Sequence, residues 1–448
     1  MVNFFYDKSP IFLQNILISL KGLQIYKQRY NKTYWQEFEI LKSTDEYDLQ
    51  LKRLSNFLNY ARDNSPYYAS IIPEMNENNV LQKFRELPIL FKEDIRKNVG
   101  EIVTRNKSLI EMSTSGSTGK KLNIYTHPSD ISKRIAYLDF FKSKHGVYKG
   151  MRRASIGGRM MIPDNQKSKV FWRHNYILNQ LLFSLFHAGN ENIRYYVQEL
   201  NRFKPQSIDG VASVIHRMAQ YINDNEIELT FKPIAIFPTA EALTEEMQID
   251  IEKAFDCKVF DQYSSSEGAP FITQNNDGSY DICPATGYFE FKKIQDNIYE
   301  MIMTSFYTTT TPLIRYEIGD AVELSEPLPK NYQQSDIKIK RIIGRNNDFL
   351  ISNEKGIVTN SILSTVISKL NVNVKEAQFI QNQTDEIIIN IVVDNDNEKT
   401  IINETFSDIM ETRFGKSTLY KIYFVEELER TSGGKTRFII NNLNKENK

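Results

Sequence analysis

The sequence predicts an α/β protein with a large, multilayered N-terminal domain over residues 1–343 and a small α+β C-terminal domain over 344–448. Three observations carry that expectation. At 448 residues the chain exceeds one ordinary hydrophobic core. Up to Gly344, helical stretches such as Glu46–Asp63 and Ala212–Asn223 alternate with short apolar runs such as Ile234–Phe237, the pattern of helices layered on a buried sheet. Beyond Gly344 the alternation tightens: a helix over Thr359–Leu370, strands over Ala377–Ile380 and Ile387–Val393, a helix over Thr400–Phe414 and a strand over Lys421–Val425 make a small α+β unit. Between them Asp394–Glu398 is expected to be an exposed, solvated turn rather than a calcium loop. There is no internal repeat and no low-complexity linker.

At the N-terminus, Ile11–Leu20 followed by Lys21, Lys27 and Arg29 has the pattern of an amphipathic helix. Packing on its own domain is the expected reading, and contact with a membrane surface the alternative. The start lacks the basic residues and unbroken apolar stretch of a signal peptide. No later run approaches the roughly eighteen apolar residues that span a bilayer, so the expectation is a soluble, cytoplasmic protein. Charge balances at 56 acidic and 56 basic side chains, which leaves no electrostatic case for a nucleic-acid partner. Cys257 and Cys283 are far apart and lack a Cys-x-x-Cys companion; a reduced compartment without disulfide framework or zinc knuckle is expected.

The most informative local segment is Ser113-Thr114-Ser115-Gly116-Ser117-Thr118-Gly119-Lys120. Glycines let backbone N–H groups approach phosphate oxygens, hydroxyls donate further hydrogen bonds, and lysine adds charge. The P-loop spacing fails, because Thr114 stands five before Gly119 and Lys120 is followed by Lys121. The segment instead resembles the phosphate loop of the acyl-adenylate-forming enzymes: acyl-CoA synthetases, luciferases and peptide-synthetase adenylation domains.

Four more segments resemble that family in the family's order. Asp261–Gly268 is similar to its aromatic-x-x-Ser/Thr-Glu segment. The resemblance implies that Tyr263 lies against adenine, Ser266 meets the α-phosphate and Glu267 holds Mg²⁺, roles that suit a flat ring and a hard oxygen ligand. Pro312–Asp320 resembles the Tyr-Arg-x-Gly-Asp segment, implying that Asp320 accepts hydrogen bonds from ribose hydroxyls. Glu317 stands where the family has arginine, and the role of Arg315 is open. Arg341–Asp348 resembles the junction between the family's two domains, with Arg345 implied to contact ribose and Asn347 at the pivot. Glu429–Arg437 resembles the C-terminal segment, whose lysine, here Lys435, is the catalytic residue that reaches the α-phosphate and carboxylate.

One branch fits best. Asn64–Tyr68, Leu87–Ile95, Phe203–Pro205, Asp209–Ser213 and Pro238–Thr244 resemble the phenylacetate–CoA ligases and the related capsular-polysaccharide CapK-type proteins. Ala240 and Glu241, with Ser115, Gly116, Ser117, Thr118, Gly119 and Lys120, are the further nucleotide-binding residues that this resemblance implies. It also implies that the small domain is a mobile lid. The implied activity is ATP- and Mg²⁺-dependent conversion of a carboxylic acid to acyl-AMP, followed by transfer to a thiol, with CoA the expected co-substrate. Transfer to an amine, hydroxyl or carrier protein is the second reading, and an inactive relative acting as a binding protein the third. His127, His145, His174, His187 and His216 are expected to be packing or surface residues. His174 and His187, with Phe171, Trp172 and Phe186, fall where an acyl pocket would be lined; plain core is the expected reading for the aromatics.

Overall fold

The computed structural model of the chain describes residues 2–105, 109–114, 122–157, 161–163, 166–189, 191–329, 332–345, 349–354, 356–359, 363, 366–367, 370, 372, 374–393, 395–428 and 437–443. Helices lead the chain: α1 (Val2–Lys8), α2 (Ile11–Arg29), α3 (Lys32–Ser43), α4 (Glu46–Asn64), α5 (Pro66–Ala69), α6 (Val80–Glu86) and α7 (Lys92–Ile102). Their starts follow capping chemistry. The Asn31 side chain accepts from Tyr34 N and the Asp45 side chain from Tyr47 N, satisfying amides that a first helical turn leaves open. An antiparallel hairpin follows, β1 (Ile110–Thr114) with β2 (Leu122–Thr126), and then helix α8 (Pro128–Lys144).

The next layer is a six-stranded sheet of β3 (Arg153–Gly157), β4 (Trp172–Asn175), β5 (Gln180–Ser184), β6 (Ser207–Val211), β7 (Ala235–Thr239) and β8 (Lys258–Val259), ordered β4-β5-β3-β6-β7-β8. All neighbours run parallel except the edge pair β4–β5. Helices α9 (Ile193–Phe203), α10 (Ala212–Asp224) and α11 (Glu245–Phe255) connect these strands. Ile156, Phe183, Ile208 and Ile236 are buried with the apolar faces of α9 and α10 in one core, as a covered parallel sheet requires.

Phe260 and Asp261 join this sheet to a second one. Phe260 N donates to Ile236 O in the first sheet, and Gln274 N to Asp261 O in the second. The second sheet comprises β9 (Gln262–Tyr263), β10 (Ile272–Gln274), β11 (Tyr280–Ile282), β12 (Gly287–Gln295), β13 (Ile298–Ser305), β14 (Tyr316–Leu324) and β15 (Ile339–Arg345), all antiparallel, in the order β12-β13-β14-β15-β11-β10-β9. The largest core lies between this sheet and the N-terminal helices, with Leu58, Phe84, Phe271 and Phe289 at its centre.

The C-terminal part has a hairpin, β16 (Phe349–Ser352) with β17 (Gly356–Thr359), and a sheet of β18 (Val374–Gln383), β19 (Glu386–Val393), β20 (Leu419–Phe424) and β21 (Ile439–Asn441), ordered β20-β19-β18-β21. Helix α12 (Asp396–Phe414) lays Ile402, Phe406, Met410 and Phe414 on Phe379, Ile387, Ile389 and Ile391. The α/β architecture expected from the sequence is thus the one found, with a large N-terminal layer system and a small α+β unit. Two local expectations need correction. Thr359 closes strand β17 rather than opening a helix. Of the acidic stretch, 395–398 is a helix start rather than a turn: Asn395 caps α12 by accepting from Glu398 N at 3.1 Å, because a cap side chain followed by charged residues is also a helix start.

Candidate active site

Parallel sheets bind ligands beyond the carboxyl ends of their strands, and two of the sequence-predicted residues, Ala240 and Glu241, follow the carboxyl end of β7. Ala240 follows β7 directly in a left-handed conformation, φ +70°, strained for a residue with a Cβ. Its neighbour Glu241 accepts from Ser213 N at 2.8 Å, at the start of α10, so this carboxylate ties together the segments that follow β6 and β7. Favourable charge at a helix N-terminus accounts for the choice of an acid.

Tyr263 ends β9 and donates its hydroxyl to Asp320 Oδ2 at 2.6 Å. Both side chains are buried, and the contact links segments 57 residues apart. Asp320 in turn faces Arg345 across the β14–β15 ladder, which brings three of the predicted nucleotide residues to one place. The carboxylate that the resemblance assigns to ribose therefore also has a phenol as partner. After Tyr263 the chain turns: Ala269 N donates to Ser265 Oγ at 3.2 Å, Ser266 is exposed, and Glu267 is 3 % exposed. Gly268 makes this turn feasible, since its φ is +92° and a Cβ there would lie 2.9 Å from Thr308 Cγ2.

The phosphate-loop residues Ser115, Gly116, Ser117, Thr118, Gly119 and Lys120 lie outside the described residues, as do Asn347 and Lys435. What anchors them is described. Thr114 and Leu122, the strand residues flanking the loop, are paired in register. Thr311 Oγ1 both accepts from Tyr125 N and donates to Tyr125 O, each at 2.9 Å, fastening the hairpin to the Thr308–Thr311 run. On the C-terminal side, Gln378 Nε2 donates to Arg437 O at 3.0 Å, holding the exit of the segment that carries Lys435.

Sequence reasoning missed the residues that bind these pieces into one unit. Asp130 on α8 accepts from Thr309 N at 2.9 Å and from its hydroxyl at 2.8 Å; burial raises its carboxyl above the ordinary range despite those bonds. One turn on, Arg134 donates to Ala269 O at 2.9 Å and lies over the Phe271 ring. Burial lowers its guanidinium to about 10. Arg134 is thus a half-buried cation beside the turn that carries Glu267. No motif marks it, because it acts across 135 residues of sequence.

Arg315 is directed elsewhere. It forms a two-pronged ion pair with Glu290 at 2.8 and 2.9 Å and donates to Arg85 O and Leu87 O, so it splices the α6 loop to the second sheet. Glu317 pairs with Lys292 at 3.2 Å. The histidines have ordinary partners: His187 with Ser184, His216 with Asp250, His127 with Ser129, His174 with Glu199, and His145 stacked on Phe260. Phe171 and Trp172 belong to the parallel-sheet core; the Phe186 side chain lies outside the description. Cys257 and Cys283 are not joined in a disulfide.

Glu267 is a suitable holder for Mg²⁺, which takes one or two carboxylates and otherwise keeps water and substrate phosphates. Among the described residues no three His, Cys, Asp or Glu converge on one point, so nothing there resembles an all-protein metal cage.

Residues 350–442 match the family described as the CapK C-terminal domain. The chain is 53 % identical over 448 residues to Protein CapK of Staphylococcus aureus, covering 99 % of this chain and 100 % of that protein. Its fold is similar to that of a 2-hydroxyisobutyryl-CoA ligase in two crystal structures. One, in the post-adenylation state with 2-HIB-AMP, has TM-score 0.60 and 15 % identity over 87 % of this chain and 88 % of that one. The other, in the thioesterification state with 2-HIB-AMP and CoA, has TM-score 0.53 and 17 % identity over 88 % and 89 %.

Proposed function

This chain belongs to the CapK family and has the fold of adenylate-forming ligases, and from that premise we propose that it activates a carboxylic acid with ATP as acyl-AMP and transfers the acyl group to the thiol of CoA. The observation that supports this best is the convergence of Tyr263, Asp320 and the Arg345 backbone, next to a turn carrying a buried carboxylate, Glu267. Those are the groups that a nucleotide with its metal ion needs.

The chemistry starts from a weak electrophile. A carboxylate oxygen attacks the α-phosphorus, the bond to the bridging oxygen breaks and pyrophosphate leaves; the resulting mixed anhydride has AMP as a good leaving group. Catalysis is then positioning and charge neutralisation. Ser115, Thr118 and Lys120 are assigned to the phosphates, Asp320 and Arg345 to ribose, Tyr263 to adenine, and Lys435 to the charge that develops at the α-phosphate. Glu267 would hold Mg²⁺, and the ion would supply positive charge to the departing pyrophosphate. In the second step thiolate sulfur attacks the acyl carbon, a thioester forms and AMP leaves. Residues 1–343 are assigned the nucleotide and acyl sites and 344–448 the lid, turning near Asn347.

The test is carboxylate-dependent exchange of pyrophosphate into ATP over a panel of aryl, fatty and amino acids, with Glu267→Gln reducing turnover about 100-fold or more. ATP binding without exchange for any acid would leave only a binding role. Release of AMP when an amine, sugar or carrier protein is supplied, but not CoA, would replace the thiol acceptor. Lys435→Ala should lose about 100- to 1000-fold in adenylation yet still consume a synthetic acyl-adenylate. Equal loss in both half-reactions would overturn the assignment of Lys435 and the alternating lid.

A further inference from the structure

Helix α2 is packed inside out. Its buried stripe is polar, comprising Gln14, Asn15, Ser19 and Gly22, and it covers β4, the edge strand of the parallel sheet. An edge strand presents unpaired amides that need acceptors. Asn15 Oδ1 accepts from His174 N and Ser19 Oγ from Tyr176 N, each at 3.0 Å, while Gln14 Oε1 accepts from Arg173 Nε at 2.6 Å. Gly22 permits the close approach, since a Cβ there would lie 2.4 Å from Asn175 Oδ1. With its polar side spent on the edge, the helix turns Phe12, Leu13, Ile16, Leu17, Leu20 and Leu23 to solvent, with Phe12 66 % and Leu20 59 % exposed. Phe5 on α1 adds a ring that is 68 % exposed.

We propose that this face of α2 docks the protein on the surface of an anionic lipid bilayer. Charge selects that occupant. From Phe5 to Gln36 the sequence contains Lys8, Lys21, Lys27, Arg29 and Lys32 against a single acid, Asp7; Lys21 and Lys27 stand exposed on α2 itself. Exposed leucines and phenylalanine beside lysines match an interfacial helix, which sinks its apolar side to the acyl boundary and keeps cations at the headgroups. A second copy of the chain would set the same cations against each other. Among the described residues no helix is long and apolar enough to cross a membrane, so the helix lies on the surface.

Co-sedimentation of the full chain with phosphatidylglycerol-containing and with pure phosphatidylcholine vesicles tests this. Binding to the anionic vesicles should be about tenfold or more tighter and should weaken with salt. The combined change Leu13→Ser, Ile16→Ser, Leu20→Ser should abolish binding with the melting temperature unchanged, and Lys21→Glu with Lys27→Glu should remove the anionic preference. As a measurement independent of those variants, Ile16→Trp should give emission that brominated lipid quenches. Equal binding by wild type and the triple-serine variant, no quenching, or a dimer in light scattering that the triple variant dissociates would overturn the proposal.

Discussion

Helices α2 and α10 pack on the same six-stranded sheet and obey opposite rules. α10 buries Ala212, Val214, Ile215, Met218, Ala219 and Ile222 because it lies over the sheet's face, where neighbouring side chains are apolar. α2 buries Gln14, Asn15 and Ser19 because it lies along the sheet's edge, where the neighbouring groups are the His174 and Tyr176 amides and the Arg173 guanidinium. Which side of an amphipathic helix faces inward is therefore set by what it covers. Burial of apolar area stabilises the first contact, and satisfaction of otherwise orphaned donors stabilises the second.

The sharpest way to break this comparison is a charge on the apolar side of each helix. Ile215→Asp on α10 should cost about 4 kcal/mol or more, an unpaired carboxylate in a fully buried site, whereas Ile16→Asp on α2 should change stability by no more than about 0.5 kcal/mol. Urea titrations of the two variants check both arms; similar losses would mean that α2 is buried in the functional protein.

A second measurement sharpens the face-packed side. On the sheet's other face, toward α8, Asp209 on β6 meets Lys142 at 2.7 Å and Arg153 at 3.5 Å. Burial alone would raise its carboxyl, but those cations and the Ser155 hydroxyl outweigh burial and hold it at about 2. A folded-state value below the unfolded one, about 3.9, contributes stability above that unfolded value and loses it as pH falls toward 2. Lys142→Met should therefore cost about 3 kcal/mol at pH 7, since a partly buried ion pair loses one member, and the gap to wild type should narrow between pH 4 and 2. A gap independent of pH would assign the loss to packing.

The smaller effect concerns the edge. Asn15→Leu makes α2 more apolar yet orphans His174 N–H, and should destabilise by about 2 kcal/mol. A stabilised variant would show that the edge amide finds another partner.

Much of the architecture was legible because it depends on near neighbours in sequence. The Ala212–Asn223 helix and the Ile387–Val393 strand came out as Ala212–Asp224 and Glu386–Val393, since helical and strand periods are local signals. Residues 395–398 were misjudged because capping and turn chemistry use the same residue types. At the site, Tyr263, Asp320 and Arg345 were picked out in three separated segments, but that Tyr263 hydrogen-bonds Asp320 depends on the order of the second sheet. Arg134 and Thr309 carried no motif at all.

The sequence by itself determined the α/β class and the order of its helices and strands, because helical and strand periodicities are written in adjacent residues. Only the tertiary structure decided that Arg315 serves Glu290 and the α6 loop, that Asp130 and Arg134 hold the Thr308–Thr311 run and the Glu267 turn, and that α2 faces outward. Each of these is a pairing between groups more than a dozen residues apart. Such pairings are selected by which unsatisfied donor, charge or apolar surface the assembled fold leaves nearby, and no local pattern encodes that neighbour.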